Sequence, residues 1–480
     1  MDCVQSLSVF ILVHIHPSIF QAGYAGVVTR PTWQHQSPFS TFDTRINRTM
    51  TQLLPNMHIP PHRLPLLYFT LGATSALLLS PLLSTLTYSS SPKSIPSPLA
   101  TATASSPSSS STLPYGPTSL PGARDVSTPY GSIRAYEFGP TSGRKVLLVH
   151  GISTPCIALA PMAEKLAEKG CRVLMYDLFG RGYSDGVGDA EYDERVYISQ
   201  ILYVLASSPL SWLPGTRKSG TDDADAGFSI MGYSMGGGIA MAFASYFPAL
   251  VHDIVLLAPG GLLRPTSNTW QTRLIFSGWL PDALTSWLVG RRLKFAPNVK
   301  TTGAADDNPA SGEAGVGKGG GAPMAFGRPV DAAGIVSWQL ENHKGFLPAF
   351  VSSMRFAPLK GGHAQWEAVG RMLDATRAGQ EGSVVNVEST IAHEDERENE
   401  GRIAGLKLKC GKILMVVGKE DTVIRSYEHV PDAMACLGEL NLEVLEVDAG
   451  HEVPVTKSQE IVEWVWANWT DAGSEGDAEV

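Results

Sequence analysis

The sequence predicts an α/β fold in which a mostly parallel central sheet is flanked by helices. After residue 122, short apolar runs alternate with amphipathic stretches, a pattern typical of a parallel sheet covered on both faces. Turn or loop residues with polar groups follow each apolar run. Because ligands bind at the carboxyl ends of the strands in such sheets, we expect the functional residues just after these runs.

The apolar runs give the predicted strands and the limits of the domain. The strands are expected at 145–149, 172–176, 228–232, 253–258, 413–417 and 442–447. Helical stretches are expected at 239–247 and 458–469. The domain is therefore predicted to span 123–472, with a short tail at 473–480.

A long segment between the fourth and fifth predicted strands, 260–406, is predicted to form a helical lid inserted into the domain. Within it, 301–327 is rich in Gly and Ala and 394–400 is strongly acidic, so we expect these two stretches to be disordered excursions. Most of the apolar residues at helical spacing are expected to pack the lid on the domain, and some to line an acyl pocket. They are Trp270, Phe276, Trp279, Leu280, Leu284, Trp287, Phe346, Phe350, Met354 and Phe356.

The segments before residue 123 have a different composition. Residues 1–63 are expected to be a poorly ordered extension, and 89–122 is a Ser/Pro-rich linker. The run 64–88 has no charged side chain and exceeds the roughly 20 residues that cross a bilayer as a helix, which predicts a single-pass membrane anchor. A removable signal sequence, and hence a secreted protein, is the alternative.

The charges around the run 64–88 predict its orientation. Arg45, Arg48 and Arg63 precede it, whereas only Lys93 follows it closely. By the positive-inside tendency the N-terminus is cytosolic. The catalytic domain is therefore expected in the lumen of an endomembrane compartment.

Charge argues against a nucleic-acid-binding protein, and cysteine spacing argues against a metal site or a disulfide framework. The net charge of the 480-residue chain is −9 and no long Lys/Arg run occurs, so the electrostatic signature of a nucleic-acid-binding protein is missing. The cysteines form no C-x-x-C pair and no zinc-ligand spacing, so we expect neither a metal site nor a disulfide framework. They are Cys3, Cys156, Cys171, Cys410 and Cys436.

Ser234 is the predicted nucleophile. It is the serine of a G-x-S-x-G pattern, Gly232–Gly236, between a predicted strand and a predicted helix. A tight strand-to-helix turn that exposes a serine needs small flanking residues, because neighbouring backbone approaches closely there. The plain alternative for such a pattern is a Gly-rich turn without chemistry.

A serine hydroxyl needs a base, and that base needs an acceptor that fixes its tautomer. His451 follows the last predicted strand and is the expected base. Asp421 follows the strand before it and is the expected acceptor, with Glu420 as its competitor. The order Ser234, Asp421, His451 along the chain favours Asp421.

Backbone amides are predicted to hold the negative charge that develops on a carbonyl oxygen. The amide of Met235 follows the nucleophile, and that of Ile152 lies in the loop after the first predicted strand. Gly151 and Tyr233 are expected to contact substrate beside these two amides. His150 is interpreted as shaping the loop rather than as a base.

Together these motifs resemble the α/β-hydrolase superfamily. The resemblance is carried by HG at 150–151, D-x-x-G-x-G-x-S at 177–184, GYSMGG at 232–237, GKED at 418–421 and AGH at 449–451, and it covers about 125–260 and 405–472. With the N-terminal apolar run, the layout is similar to that of membrane-bound monoacylglycerol-lipase-like members. The resemblance implies a Ser-His-Asp triad, hydrolysis through an acyl-enzyme, and no cofactor.

These observations predict a serine hydrolase that cleaves carboxylic esters of lipophilic acyl groups, with a small ester or a lipid as substrate. An amidase or peptidase with the same triad stays open, because the triad alone does not select the leaving group. A binding protein without catalysis is the alternative from another class. The sequence leaves the oligomeric state open.

Overall fold

The computed structural model describes residues 93–102, 115–213, 227–264, 270–295, 324–326, 328–329, 332–378, 406 and 408–476. The predicted extension 1–63 and membrane anchor 64–88 lie outside these residues. So do the predicted excursion 394–400 and all of the predicted excursion 301–327 except 324–326. Among the described residues, no helix has the length and apolar character needed to cross a bilayer.

The strands and helices of the described residues are as follows. The strands are β1 Ser94–Ile95, β2 Ala123–Thr128, β3 Gly131–Phe138, β4 Lys145–Val149, β5 Arg172–Tyr176, β6 Gly186–Val187, β7 Phe228–Tyr233, β8 Val251–Leu257, β9 Met324–Ala325, β10 Arg328–Pro329, β11 Ile413–Gly418 and β12 Leu442–Val447. The α-helices are α1 Pro98–Ala102, α2 Ala160–Glu168, α3 Glu194–Ala206, α4 Met235–Tyr246, α5 Trp270–Ile275, α6 Asp282–Phe295, α7 Ala332–Asn342, α8 Phe346–Phe356, α9 His363–Arg377, α10 Ser426–Leu437, α11 Val453–Thr456 and α12 Ser458–Gly476.

The central sheet contains eight of these strands in the order β12-β11-β8-β7-β4-β5-β3-β2. Neighbours are parallel from β12 to β5, whereas β3 and β2 join antiparallel at one edge. The chain passes from β4 to β5 on one side and returns to β7 on the other side of β4. The carboxyl end of β4 is thus the point where strand order reverses, which is where open α/β sheets bind ligands.

Helices cover both faces of the sheet. Side chains alternate along a strand, so Leu147 and Val149 of β4 belong to one core cluster and Val146 and Leu148 to the other. The first cluster includes buried residues of α3, α4 and α9, and the second includes those of α2 and α12. The structure confirms the predicted mostly parallel sheet flanked by helices.

All six predicted strands are present, with ends that differ by at most two residues. The antiparallel pair β2 and β3 was not predicted. Its buried residues include Arg134 and Glu137, which break up the apolar pattern. Both charges are paired inside the fold, Arg134 with Asp125 at 2.9 Å and Glu137 with Arg124 at 2.8 Å.

The lid segment is helical where the structure describes it. Helices α5 to α9 lie between β8 and β11. Buried residues of α6, α7, α8 and α9 belong to the same core cluster as α4, so the insert shares one apolar core with the domain. We call this segment, 270–378, the insert.

Two stretches of the predicted linker 89–122 pack on the domain. Strand β1 pairs antiparallel with β6, and the amide of Ser97 donates a hydrogen bond of 2.7 Å to Asp185. Tyr115 and Leu120 are buried. A composition rich in Ser and Pro did not reveal these contacts, because backbone pairing and two apolar anchors supply them.

Candidate active site

The turn between β7 and α4 holds Ser234 in a left-handed conformation with φ 53° and ψ −120°. Such a conformation in a residue other than glycine costs on the order of 1–3 kcal/mol and is typical of functional sites. A side-chain carbon added at Gly232 would lie 2.2 Å from the carbonyl oxygen of Gly236. One added at Gly236 would lie 2.2 Å from that of Val149. Steric crowding therefore requires both glycines of the sequence pattern.

Three side chains from separate loops meet in one hydrogen-bonded chain. His451 Nε2 lies 2.9 Å from Ser234 Oγ, and His451 Nδ1 lies 2.7 Å from Asp421 Oδ2. All three residues are buried. Because the carboxylate accepts from Nδ1–H, Nε2 is left as an acceptor for the serine hydroxyl proton.

The loops after β11 and β12 hold Asp421 and His451 in register. The amide of Lys419 donates to Val447, and that of Glu420 donates to Ala449 at 3.0 Å. A side-chain carbon at Gly418 would lie 2.3 Å from the carbonyl oxygen of Gly450, so the two loops pack directly on each other.

Asp421, rather than Glu420, faces the histidine. The amides of Val423 and Ile424 each donate a 2.8 Å hydrogen bond to Asp421 Oδ1, which leaves Oδ2 for His451. Glu420 is exposed to solvent. The two carboxylates that the sequence left in competition are therefore separated by burial.

The loop after β4, residues 150–154, packs against the nucleophile turn. A side-chain carbon at Gly236 would lie 2.8 Å from the carbonyl oxygen of His150. Ile152 and Met235, whose amides were predicted to hold an oxyanion, are both fully buried. We call residues 150–154, in which one of the two oxyanion amides is predicted, the oxyanion loop.

His150 is a neutral part of the oxyanion loop. Its Nε2 accepts a 2.8 Å hydrogen bond from the amide of Leu178, so Nδ1 carries the proton and donates to the carbonyl oxygen of Gly151 at 2.8 Å. Burial, together with the nearby charge of Arg181, lowers the pKa of His150 to about 3. The ring is thus occupied in shaping the loop.

The two residues predicted to contact substrate are both buried. Tyr233 has its ring 5.5 Å from that of His451 and belongs to the core cluster of α2 and α12, so its ring packs near the base. The carbonyl oxygen of Gly151 is held by His150. A contact of either residue with substrate stays a prediction.

Sequence reasoning missed Arg181 and Gln339, which bind the oxyanion loop. Arg181 Nε donates a 3.1 Å hydrogen bond to the carbonyl oxygen of Ile152, and Gln339 Nε2 donates one of 2.9 Å to that of Ser153. Arg181 lies within the D-x-x-G-x-G-x-S motif, but at a position where the motif allows any residue. Gln339 is an ordinary helical glutamine in sequence, and no pattern marked it.

The aromatic residues of the insert divide into two groups. Phe346 and Phe350 are buried in the core cluster of α4. Trp279 is 83% exposed and Trp287 is 57% exposed, and Leu284 and Phe356 are also exposed. These four are therefore exceptions to the packing that was expected of most such residues. Trp279 lies in the turn between α5 and α6, and the other three face solvent from their helices. An acyl pocket lined by some of the set stays a prediction.

Part of the chain is similar to known proteins. The family model described as serine aminopeptidase, S33, matches residues 141–310, which include β4 to β8 and the nucleophile turn. An uncharacterized protein of Mycobacterium tuberculosis is 30% identical over 155 residues, which are 31% of this chain and 40% of that protein. A serine hydrolase-like protein of Danio rerio is 30% identical over 142 residues, 29% of this chain and 38% of that protein.

The chain thus spans less than half the length of these relatives. A solved carboxylesterase structure from Nitrososphaera gargenis has a TM-score of 0.44 and 16% identity, covering 73% of this chain and 100% of that one. The sheet order, the strand–turn–helix around Ser234 and the family match define an α/β-hydrolase fold. Within that fold, the chain is similar to serine hydrolases.

Proposed function

We propose that the protein is a serine hydrolase that cleaves carboxylic esters through an acyl-enzyme on Ser234. The observation that carries this proposal is the continuous hydrogen-bonded chain from Ser234 through His451 to Asp421. It lies at the carboxyl ends of three strands. A nucleophile, a base and an orienting carboxylate in this order are what acyl transfer requires.

The reaction proceeds in two steps. His451 Nε2 takes the proton of Ser234 Oγ, which attacks the ester carbonyl carbon, while the amides of Ile152 and Met235 bind the resulting oxyanion. The imidazolium, stabilised by Asp421, then protonates the leaving alcohol oxygen as the bond to carbon breaks. Water attacks the acyl-enzyme by the same route, and the carboxylic acid leaves.

We infer that the acyl group is lipophilic. The side chains of Ile152 and Met235 belong to an apolar cluster that extends into the insert through Val289 and Phe350. An acyl chain on the same side of the oxyanion amides would therefore contact apolar surface, and burying each CH₂ contributes about 0.8 kcal/mol. A panel of p-nitrophenyl esters tests this, with highest kcat/KM expected for octanoate or longer chains. Highest kcat/KM for acetate, with no turnover of octanoate, would contradict it.

Ser234→Ala tests the enzyme proposal itself. The variant is expected to lose p-nitrophenyl ester hydrolysis by about 10⁶-fold and to lose labelling by a fluorophosphonate probe, while the unfolding transition stays in place. Labelling that persists in the variant would identify another nucleophile. Wild-type protein that neither turns over esters nor reacts with the probe would instead indicate a binding protein on this fold.

A peptidase with the same triad is the second candidate, because the matching family model is described as a serine aminopeptidase. Aminoacyl-p-nitroanilides and the matching p-nitrophenyl esters separate the two. We expect the esters alone to turn over efficiently. A higher kcat/KM for the anilides would favour the peptidase.

We also propose that the run 64–88 anchors the chain as a single membrane-spanning helix, with the catalytic domain in the lumen of an endomembrane compartment. Its support is the absence of charged side chains over that length. Full-length chain is expected to stay in membranes after alkaline carbonate extraction and to resist added protease in sealed vesicles. Release into the medium with a new N-terminus after residue 88 would establish secretion instead.

A further inference from the structure

The guanidinium of Arg181 is fully buried without a negative partner among the described residues. Its hydrogen bonds go to neutral oxygen atoms, the carbonyls of Ile152 and Phe179 and the hydroxyls of Tyr197 and Ser353. Removing a cation from water costs several kcal/mol even after relaxation. Hydrogen bonds to neutral groups offset this cost only in part, so a buried Arg in this position indicates that holding these groups has a function.

The partners of Arg181 come from separate parts of the fold. Nε donates to Ile152 of the oxyanion loop at 3.1 Å, and Nη2 donates to Ser353 of helix α8 at 2.8 Å. Nη1 donates to Tyr197 of α3 at 3.0 Å, and Tyr197 in turn lies 2.6 Å from Ser353. One side chain thus ties the oxyanion loop to the insert.

Gln339 of helix α7 makes a second tie. Its Nε2 donates a 2.9 Å hydrogen bond to the carbonyl oxygen of Ser153, and its Oε1 accepts one of 2.8 Å from the amide of Gly182. The side chain is fully buried. Both ends of the amide are used, so its orientation is fixed by its partners.

Three successive carbonyl groups of the oxyanion loop are consequently held by side chains. His150 holds that of Gly151, Arg181 that of Ile152 and Gln339 that of Ser153. A carbonyl and the amide that follows it share one rigid trans peptide plane. The Ile152 N–H shares its plane with the Gly151 carbonyl, which His150 holds. Arg181 and Gln339 hold the next two planes, and so restrict rotation of the loop on the other side of Ile152.

We propose that Arg181 and Gln339 are positioning residues for the oxyanion loop, so that helices α7 and α8 must stay docked on this loop during turnover. This inference rests on the proposed hydrolase function. Opening α7 and α8 as a mobile lid would take Ser353 from the guanidinium and would leave the Ser153 carbonyl and the Gly182 amide without Gln339. Each unsatisfied neutral group costs about 1–3 kcal/mol. Helices α7 and α8 of the insert therefore support the catalytic centre.

The test compares Gln339→Met with Gln365→Met, using p-nitrophenyl butyrate. Gln365 lies on α9 of the same insert and donates to Glu194, away from the oxyanion loop. We expect Gln339→Met to lower kcat by about 10–100-fold with little change in KM, because a misplaced donor loses transition-state stabilisation. Gln365→Met is expected to keep kcat within about two-fold.

Two further measurements separate positioning from folding. The affinity of an aryl trifluoromethyl ketone, which forms a hemiketal oxyanion on Ser234, is expected to fall by the same factor as kcat/KM. Rates are divided by active sites counted with the fluorophosphonate probe. Gln339→Glu keeps the acceptor for the Gly182 amide but loses the donor to Ser153, so it is expected to show the same loss if Gln339→Met does not fold.

Unchanged kcat per active site in both Gln339 variants would overturn the inference, as would a fall in kcat without a fall in inhibitor affinity. Wild-type protein that is inactive on p-nitrophenyl butyrate and unreactive to the probe would overturn the proposed function, and the inference with it. An active wild type beside fully active Gln339 variants would overturn the inference alone.

Discussion

The two halves of the insert differ in how they meet the rest of the molecule. Helices α7 and α8 place Gln339 and Ser353 in full burial, with hydrogen bonds to the oxyanion loop and to Arg181. The segment of α5 and α6 places Trp279 and Trp287 in solvent. The buried polar contacts, rather than the aromatic residues, therefore mark the half that is joined to the site.

Helices α5 and α6, which we call the outer half of the insert, are nevertheless attached to α7 and α8, the inner half. Val289 and Leu293 of α6 are buried in the shared core cluster, and Arg355 of α8 pairs with Asp282 at 2.7 Å. Asp282 is largely exposed, and exposed ion pairs contribute only about 0–1 kcal/mol. Attachment of α6 thus depends on these apolar residues and on Arg355, which also donates to buried Thr285 at 3.4 Å. Helices α7 and α8, by contrast, hydrogen-bond the oxyanion loop and Arg181.

The largest effect on kcat is expected at the triad, and the effects of variants in both halves of the insert are compared with it. Asp421→Asn should lower kcat by about 10⁴-fold, because an amide in this position favours the wrong histidine tautomer. Glu420→Gln is the matched control, since that neighbour is exposed, and kcat should stay within about two-fold. Steady-state kinetics on p-nitrophenyl butyrate measure both. Equal losses in the two variants would mean that the acceptor of His451 is not Asp421.

A smaller effect, on stability, separates two phenylalanines of the same helix. Phe350 of α8 is fully buried, whereas Phe356 at its end is 43% exposed. Phe350→Ala should lower the free energy of unfolding by about 3–5 kcal/mol, through lost burial and a cavity. Phe356→Ala should lower it by less than about 1 kcal/mol. Urea unfolding followed by circular dichroism measures both, and similar losses would show that α8 packs on both faces.

The sequence predicted the sheet and the residues at its strand ends because both depend on local patterns. Apolar runs bounded by turns marked the strands, and Gly232 and Gly236 marked the turn around Ser234 through a steric need that the structure shows. Asp421 and His451 followed from chain order. The placement of these residues could therefore be predicted before any contact between them was known.

The remaining features depend on contacts between distant parts of the chain. Gln339 reaches the oxyanion loop across 186 residues of sequence, and Arg181 reaches Ser353 across 172. Trp279 lies in the turn between α5 and α6, and an apolar residue at helical spacing does not specify where such a turn falls. The edge strands β2 and β3 were hidden because their buried charges are paired only in the fold.

A pH dependence of stability is expected from the joint between α7 and α8. His343 Nε2 donates to the carbonyl oxygen of Ser184 at 2.9 Å, and its Nδ1 accepts from the amide of Gly345 at 3.1 Å, so the buried ring is neutral. Burial lowers the pKa of His343 to about 4; the charge of Arg181 adds to this, and its hydrogen bonds and Asp185 oppose it. Unfolded protein, with a histidine pKa near 6.5, binds the proton first as pH falls.

Stability should therefore fall as pH decreases from about 6.5 to about 4, by roughly 1.4 kcal/mol per pH unit for this one group. His343→Gln should remove that part of the slope, measured by urea unfolding at several pH values. His363→Gln at the exposed start of α9 is the control. The same slope in wild type and His343→Gln would show that this histidine is protonated in the folded protein as well.

The smallest effect is expected in the outer half of the insert. Trp279→Ala should change the free energy of unfolding by no more than about 0.5 kcal/mol, because its side chain is 83% exposed and loses little contact. Trp287→Ala should cost slightly more, about 0.5–1 kcal/mol, since Arg291 lies 5.8 Å from the centre of its ring. Neither should change kcat on p-nitrophenyl butyrate, whereas Gln339→Met should. A loss of kcat in Trp279→Ala equal to that in Gln339→Met would show that both halves of the insert support the oxyanion loop, and the distinction between them would fail.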